Sequence, residues 1–417
     1  MIKKTQDFFY KHLNMSKDFL WNIMASLVAT GVLQLLVYPI LARNYDKSFY
    51  GVILTSMGII NTLAVSFGNS LNNSRLVTLD TYNEEKSEGD YNVLLLYTNV
   101  LVSGAIIILG ISLFEFDVYI VLGTLLLSSL LVFRSYLVVL FRIRLDFKAF
   151  FYNSLLLAIG YAIGSLLVLI IDFWPIPFIV GEIFALLHLY LFFKPKQITI
   201  KKTKYFKFSL NKSSILIITT ILGNALIYMD RILLYPILGS ESVSVYTVAS
   251  FFGKTLGIVA APMAGVLLSY YSSKNFVMNK KKYLVSSYMI FISSIIFIPL
   301  IVIIAPFITR ILYPTIYDDA KIYILWANIG ALIIVVTRMM QPAIIKYAPT
   351  YWLLLKEGVY GITYIALSIV LIPKYSINGL IWVTIISASL KVVLMFFLGY
   401  YYILKKQRSL VYENSSN

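Results

Sequence analysis

The chain has 417 residues, 59% of them hydrophobic and only 13% charged, more apolar surface than a soluble domain of this size can bury, so the natural reading is a membrane protein. It holds no cysteine and two histidines, His12 and His188, which excludes disulfides and thiolate metal sites and leaves almost nothing for a histidine-based metal centre or catalytic triad; no cofactor is expected. The formal charge of +16 lies in short breaks between apolar runs, where it orients a membrane protein rather than contacting nucleic acid.

Twelve apolar runs follow in chain order, each long enough to cross a hydrocarbon core of about 30 Å as a helix. They are continuous rather than alternating, which favours helices over strands. The first six are 19–42, 50–72, 92–114, 118–141, 150–171 and 175–193. The first run lacks a small-residue cleavage site and reads as a retained span. The polar stretch "NEEKSEGD" at 83–90 reads as a solvated loop with no role. After the sixth run comes the longest basic break, "KPKQITIKKTKYFKFSLNK" (Lys194–Lys212), a cytoplasmic linker expected to lie on anionic lipid headgroups. The second six runs are 212–237, 243–271, 283–305, 321–342, 349–372 and 377–403. The expected organisation is a six-helix lobe at 1–193, a linker at 194–211, a second six-helix lobe at 212–405 and a disordered cytoplasmic tail at 406–417. With the N-terminus inside, the inside segments carry 24 of the 35 Lys and Arg and the outside loops 5, so both termini are placed in the cytoplasm.

A repeated word supports the two-lobe division. "LLVYPIL" stands at 35–41 and "ILLYPIL" at 232–238, and each copy is followed by a polar stretch and then a tyrosine, Tyr50 or Tyr246. An even number of spans per half gives parallel repeats, so the two words are expected at equivalent places near the outer surface.

Nine charges fall inside the runs: Arg134, Arg231, Lys254, Arg338, Lys356, Lys391, Glu182, Asp230 and Glu357. A charge at mid-bilayer costs about 2.5–3.5 kcal/mol on insertion scales, so most of these must face protein or water. Arg338 and Lys356 are near enough to the inner surface to snorkel. The surplus of cations points to an anionic ligand, with phosphate, pyrophosphate and acidic sugars as candidates. The second run contributes amides, Asn61, Asn69, Asn72 and Asn73, which can replace water around sugar hydroxyls. Asp230 and Glu182 are candidates for binding a proton or Na⁺, with a structural ion pair as the competing role. "GKT" at 253–255 lacks the first glycine of a phosphate-binding loop, since Val248 stands there, and ATP hydrolysis is excluded on that ground.

Local phrases carry a family resemblance. "LARNYDKSFYGVI" follows the first run, "YMDRILLYPILGSESVSVYTVAS" joins the seventh and eighth, and "ILYPTIYDDAKIYILWAN" precedes the tenth. With twelve spans in two lobes, the chain resembles the Wzx-type polysaccharide flippases of the MOP exporter superfamily, which move lipid-linked O-antigen or capsule units. The resemblance implies an all-α, MATE/MOP-like integral membrane protein of the bacterial cytoplasmic membrane. It implies no enzymatic activity, but alternating-access transport of an undecaprenyl-pyrophosphate-type oligosaccharide through a cationic lumen lined by spans 1, 2, 7 and 8. Gln34, Asn61, Asn69, Arg231, Lys254, Arg134, Lys391 and Lys356 are the expected substrate-binding residues. Expected partners are the lipid-linked oligosaccharide and membrane lipids, with a polysaccharide polymerase and chain-length machinery beyond them. Two other readings stay open: a multidrug exporter of the MATE branch, opposed by the lack of a buried acid in the first three runs, and a membrane polysaccharide polymerase or ligase, opposed by the short outside loops.

Overall fold

The computed structural model describes residues 17, 20–82, 88–194, 199–272, 276, 278–349 and 351–415, and these form helices joined by short turns. Eleven of the helices are long and apolar enough to cross a membrane. Helices are the form such runs must take in lipid, because each backbone N–H and C=O finds its partner within the same segment. Contacts divide the chain into two compact units. One holds Met1–Tyr45 and Val52–Met229, the other Asp46–Gly51 and Asp230–Asn417.

The first unit contains α1 (Leu20–Asn44), most of α2 (Lys47–Tyr82), α3 (Glu88–Ser112), α4 (Val118–Arg144), α5 (Phe147–Leu167), α6 (Ile176–Phe193) and α7 (Phe206–Leu238) as far as Met229. Small residues set its closest packing. A Cβ on Gly160 would lie 2.7 Å from the Cα of Gly181, so α5 and α6 meet almost backbone to backbone, as association in lipid favours. α2 runs ten residues beyond its expected end, and its polar inner portion is buried against α3, α4 and the start of α7. There Ser74 and Thr78 hydroxyls each lie 2.8 Å from the Tyr91 hydroxyl, and Ser213 donates to Ser74 at 3.0 Å.

Two expectations for this region change. Asp90, in the loop to which no role was given, is fully buried. It accepts from the Thr203 backbone N–H and hydroxyl, both at 2.6 Å, and from the Tyr82 hydroxyl at 2.7 Å. It therefore supplies a buried acid in the third helix, where none was expected. The basic segment is also more than a lipid-bound linker: Thr199 and Thr203 are tied to α3, and α7 already begins at Phe206. Positions 83–87 of that loop and 195–198 of the linker lie outside the described residues.

The second unit continues α7 from Asp230 and adds α8 (Ser240–Ala249), α9 (Phe251–Ser272), α10 (Lys280–Leu312), α11 (Pro314–Ala320), α12 (Ile324–Tyr347) and α13 (Tyr351–Ser415). α13 is an antiparallel hairpin. Ser376 has φ 51° and ψ −133°, and beyond it the chain turns back so sharply that a Cβ on Gly379 would lie 2.1 Å from the Leu371 carbonyl oxygen. Cross-links between the arms follow in order: Tyr364 with Thr384 at 3.4 Å, Glu357 with Lys391 at 2.7 Å, and the Trp352 indole to the Tyr402 hydroxyl at 2.7 Å. The helix continues to Ser415, through the tail expected to be disordered; Ser416 and Asn417 lie outside the described residues.

Residues 46–51 join the second unit through close backbone packing. A Cβ on Gly51 would fall 1.8 Å from the Ser240 carbonyl oxygen, and Ser244 donates to the Lys47 carbonyl at 2.6 Å. Lys47 also pairs with Glu241 at 2.9 Å and Asp319 at 2.6 Å, exposed contacts that contribute about 0–1 kcal/mol each. Each YPIL word lies in the last turns of its helix. α7 stops at Gly239, whose φ of +82° suits glycine, whereas α1 continues five residues past Pro39 before the extended Tyr45.

Candidate functional site

In the first unit, two of the predicted polar residues occupy π-helical turns. Gln34 lies in Leu33–Val37 and Asn61 in Asn61–Val65. Such turns insert a residue into the helix and are frequent at functional sites. The Asn61 amide donates to the Met57 carbonyl at 2.7 Å, which leaves its oxygen for another partner. Asn69 is half-buried two turns further on. Asn72 and Asn73 serve packing instead. Asn72 donates to the Ser135 carbonyl at 3.1 Å, and the Arg142 guanidinium donates to Asn72 at 2.9 Å and to Asn73 at 2.8 Å. Arg134 pairs with the fully buried Glu182, whose other oxygen accepts from the Tyr161 hydroxyl at 3.3 Å. The two charges expected in this unit thus stabilise each other.

In the second unit a break in the expected eighth span positions Lys254. α8 ends at Ala249, Ser250 leaves the helical region (φ −89°, ψ 0°), and α9 starts at Phe251. The buried Asn328 side chain of α12 splices the gap, donating to the Ala249 carbonyl at 2.8 Å and accepting the Gly253 N–H at 2.6 Å. These are the two groups a continuous helix would have joined to each other. A Cβ on Gly253 would lie 2.7 Å from that of Ala331, so close approach to α12, and not phosphate binding, explains the glycine of "GKT".

Lys254 follows directly. Its ammonium pairs with Asp230 and lies 5.0 Å from the centroid of the Tyr246 ring. The Tyr246 hydroxyl is 3.2 Å from the Thr384 hydroxyl, which links this pair to the α13 hairpin. Arg231, beside Asp230, is buried. One turn along α9, the Gly257 carbonyl accepts from Arg338 at 2.8 Å. Arg338 stands within electrostatic range of Glu357 and Lys391 on α13. Glu357 pairs with Lys356 at 2.6 Å and with Lys391 at 2.7 Å, and Lys391 also lies 4.7 Å from the Tyr360 ring centroid. Lys356 is fully buried in this cluster, so it does not snorkel, and Arg338 is held by a backbone carbonyl. The structure thus gathers Asp230, Arg231, Lys254, Arg338, Lys356, Glu357 and Lys391 along one unit. Among the described residues, five cations there face two acids in the interiors of the spans. An apolar hollow of about 410 Å³ lined by Leu284, Val285, Ser287, Tyr288, Phe291 and Phe396 contains none of them.

Sequence reasoning missed Asn328, Tyr161 and Asp90. Asn328 left one signal, a lone amide in the apolar run "ILWANIGALI".

The architecture matches solved transporters. The fold is similar to that of solved MOP superfamily transporters. The lipid II flippase MurJ in an inward closed conformation is 18% identical with a TM-score of 0.63, over 93% of this chain and 87% of that one. An inward-facing multidrug resistance MATE family transporter of the MOP superfamily is 14% identical with a TM-score of 0.63, over 94% and 96%. A MOP superfamily transporter from Pyrococcus furiosus, whose binding pocket has reversed polarity, is 13% identical with a TM-score of 0.56, over 93% and 95%. No family model and no curated protein sequence matches the chain.

Proposed function

We propose that the chain is a transporter that flips polyprenyl-pyrophosphate-linked oligosaccharide units across the bacterial cytoplasmic membrane by alternating access, for O-antigen, capsule or a related surface glycan. The observation that carries this reading is the cationic surplus within the spans of the second unit. Water-poor surroundings strengthen the attraction of such a surplus for an anion, and pyrophosphate is the most highly charged part of a lipid-linked sugar. Arg231, Lys254, Lys391 and Lys356 would hold that head, and Arg134, Gln34, Asn61 and Asn69 are further candidate substrate residues. The sugar needs such contacts because unsatisfied hydroxyls are costly to bring into hydrocarbon. In this reading the two arms of α13 are separate crossings, which would make twelve spans and keep both termini on one side, the cytoplasmic one by the distribution of Lys and Arg. Asp230 and Glu182 are the candidate coupling carboxylates; a coupling proton or Na⁺ would have to displace Lys254 or Arg134. A polymerase and chain-length machinery would take the delivered unit.

The test is a deletion strain. It should accumulate lipid-linked glycan on the cytoplasmic face and lose surface glycan, and the wild-type gene should restore export. Unchanged surface glycan would overturn the reading. The likeness to MATE transporters gives a second reading, drug export. It predicts sensitivity to cationic drugs in the same strain with surface glycan intact. The positive surplus opposes it, because a cationic drug would be repelled.

A further inference from the structure

The cluster around Glu357 has an inverted arrangement. A lysine near the membrane surface ordinarily reaches outward, its long apolar stem covered and its charged head in water. Here the lysines are the more buried members: side-chain exposure is 1% for Lys356, 12% for Lys391 and 33% for Glu357. The carboxylate covers two ammonium groups, one on each oxygen, at 2.6 and 2.7 Å. Arg338 adds a third cation and spends one of its five N–H donors on the Gly257 carbonyl at 2.8 Å. One negative charge therefore faces three positive ones, all contributed by α12 and α13. Surroundings that exclude water penalise this imbalance. A second anion would remove it, and an oxyanion with two or more charges would do so better than the carboxylate.

Building on the substrate class proposed above, we infer that Glu357 is a resident stand-in for a phosphate group. Its two oxygens bridge Lys356 and Lys391 as two oxygens of a phosphate would, and the Lys391 ammonium also lies over the Tyr360 ring, 4.7 Å from its centroid. In the unloaded protein the carboxylate keeps the lysines paired and in place. An arriving pyrophosphate displaces it toward the exposed side, Glu357 being the most exposed of the three, and takes over Lys391, Lys356 and the free donors of Arg338. A monoanion gains nothing by this exchange, so the stand-in makes the site selective for multiply charged heads. Glu357 also lowers the apparent affinity, because the site is open only in the fraction of molecules where the carboxylate has swung away.

The test uses the purified full-length chain in detergent, titrated calorimetrically with inorganic pyrophosphate and with acetate as the monoanion control. Glu357→Gln should tighten pyrophosphate binding at least about fivefold, because it removes the competing charge. Lys391→Ala should abolish binding at that cluster. If Glu357→Gln fails to fold with two lysines unpaired, Glu357→Asp, whose shorter arm holds them less well, should still tighten binding, by a smaller factor. Pyrophosphate affinity unchanged or weaker in a folded Glu357→Gln or Glu357→Asp protein would overturn the inference, as would acetate competing equally well. If pyrophosphate binding depends on Lys254 and is indifferent to Glu357, the stand-in falls while the flippase reading stands. Tighter binding in Glu357→Gln from a chain that exports no glycan would leave the anion site standing and overturn its assigned cargo.

Discussion

The Lys254–Asp230 pair can be separated into its structural and transport roles by a double-mutant cycle. Exposure decides the magnitudes. The Asp230 side chain is 8% exposed and that of Lys254 35%. Removing one member of a buried ion pair costs about 3–5 kcal/mol, whereas an exposed pair is worth about 0–1 kcal/mol. Lys254→Ala strands a buried carboxylate, but Arg231 is adjacent and the pair is not wholly enclosed, so we expect a loss of about 2 kcal/mol, seen as a drop of about 2–4 °C in thermal unfolding in detergent. Asp230→Asn leaves unpaired the more exposed member of the pair, and should cost less than about 1 kcal/mol. The double variant should return to within about 1 kcal/mol of wild type, because no stranded charge remains. Export should follow a different pattern, measured as surface glycan in a deletion strain. Lys254→Ala and the double variant should both fail, and export by Asp230→Asn with an unchanged dependence on the ion gradient would remove Asp230 from the coupling role. Recovery of export by the double variant, in step with its stability, would show that Lys254 serves only to neutralise Asp230. A more severe loss of stability for Asp230→Asn than for Lys254→Ala would refute the use made of their exposures.

Asn328→Leu should destabilise the protein by about 2–4 kcal/mol, because it leaves the Ala249 carbonyl and the Gly253 N–H buried without their partner, and thermal unfolding would measure it. The same variant should lower export beyond its effect on expression level, since the splice sets the direction of Lys254; export unchanged at equal expression would separate the two. Asp90→Asn should free the 199–205 segment from α3, detectable as faster proteolysis at Lys201 and Lys202 in membrane vesicles, because a neutral amide cannot accept the paired donors of Thr203 as strongly.

Span positions could be read from the sequence because hydrocarbon imposes one requirement on every segment, internal backbone pairing within a run of sufficient length. That requirement is local, and the expected runs recur as α1 to α7, α9, α10, α12 and α13 with shifted ends. The charges were legible in the same way, as costly exceptions inside apolar runs. What the sequence could not supply was their pairing. Lys254 and Asp230 are 24 residues apart, Glu182 and Arg134 are 48 apart, and Lys391 and Glu357 are 34 apart. Only the packing of different helices, or of the two arms of α13, brings these residues together. The break at Ser250 is a similar case. Nothing in "TVASFFGKT" announces it, because the side chain that makes it tolerable comes from Asn328, 75 residues beyond Gly253. Residues 46–51 look like an ordinary connection between two spans, yet they belong with the second unit because Gly51 is bare enough to admit the Ser240 carbonyl. The sequence by itself determined where helices run and which residues are too polar for lipid. The tertiary structure decided which partners neutralise them, because a buried charge must be paired by whatever group the fold brings within hydrogen-bonding reach.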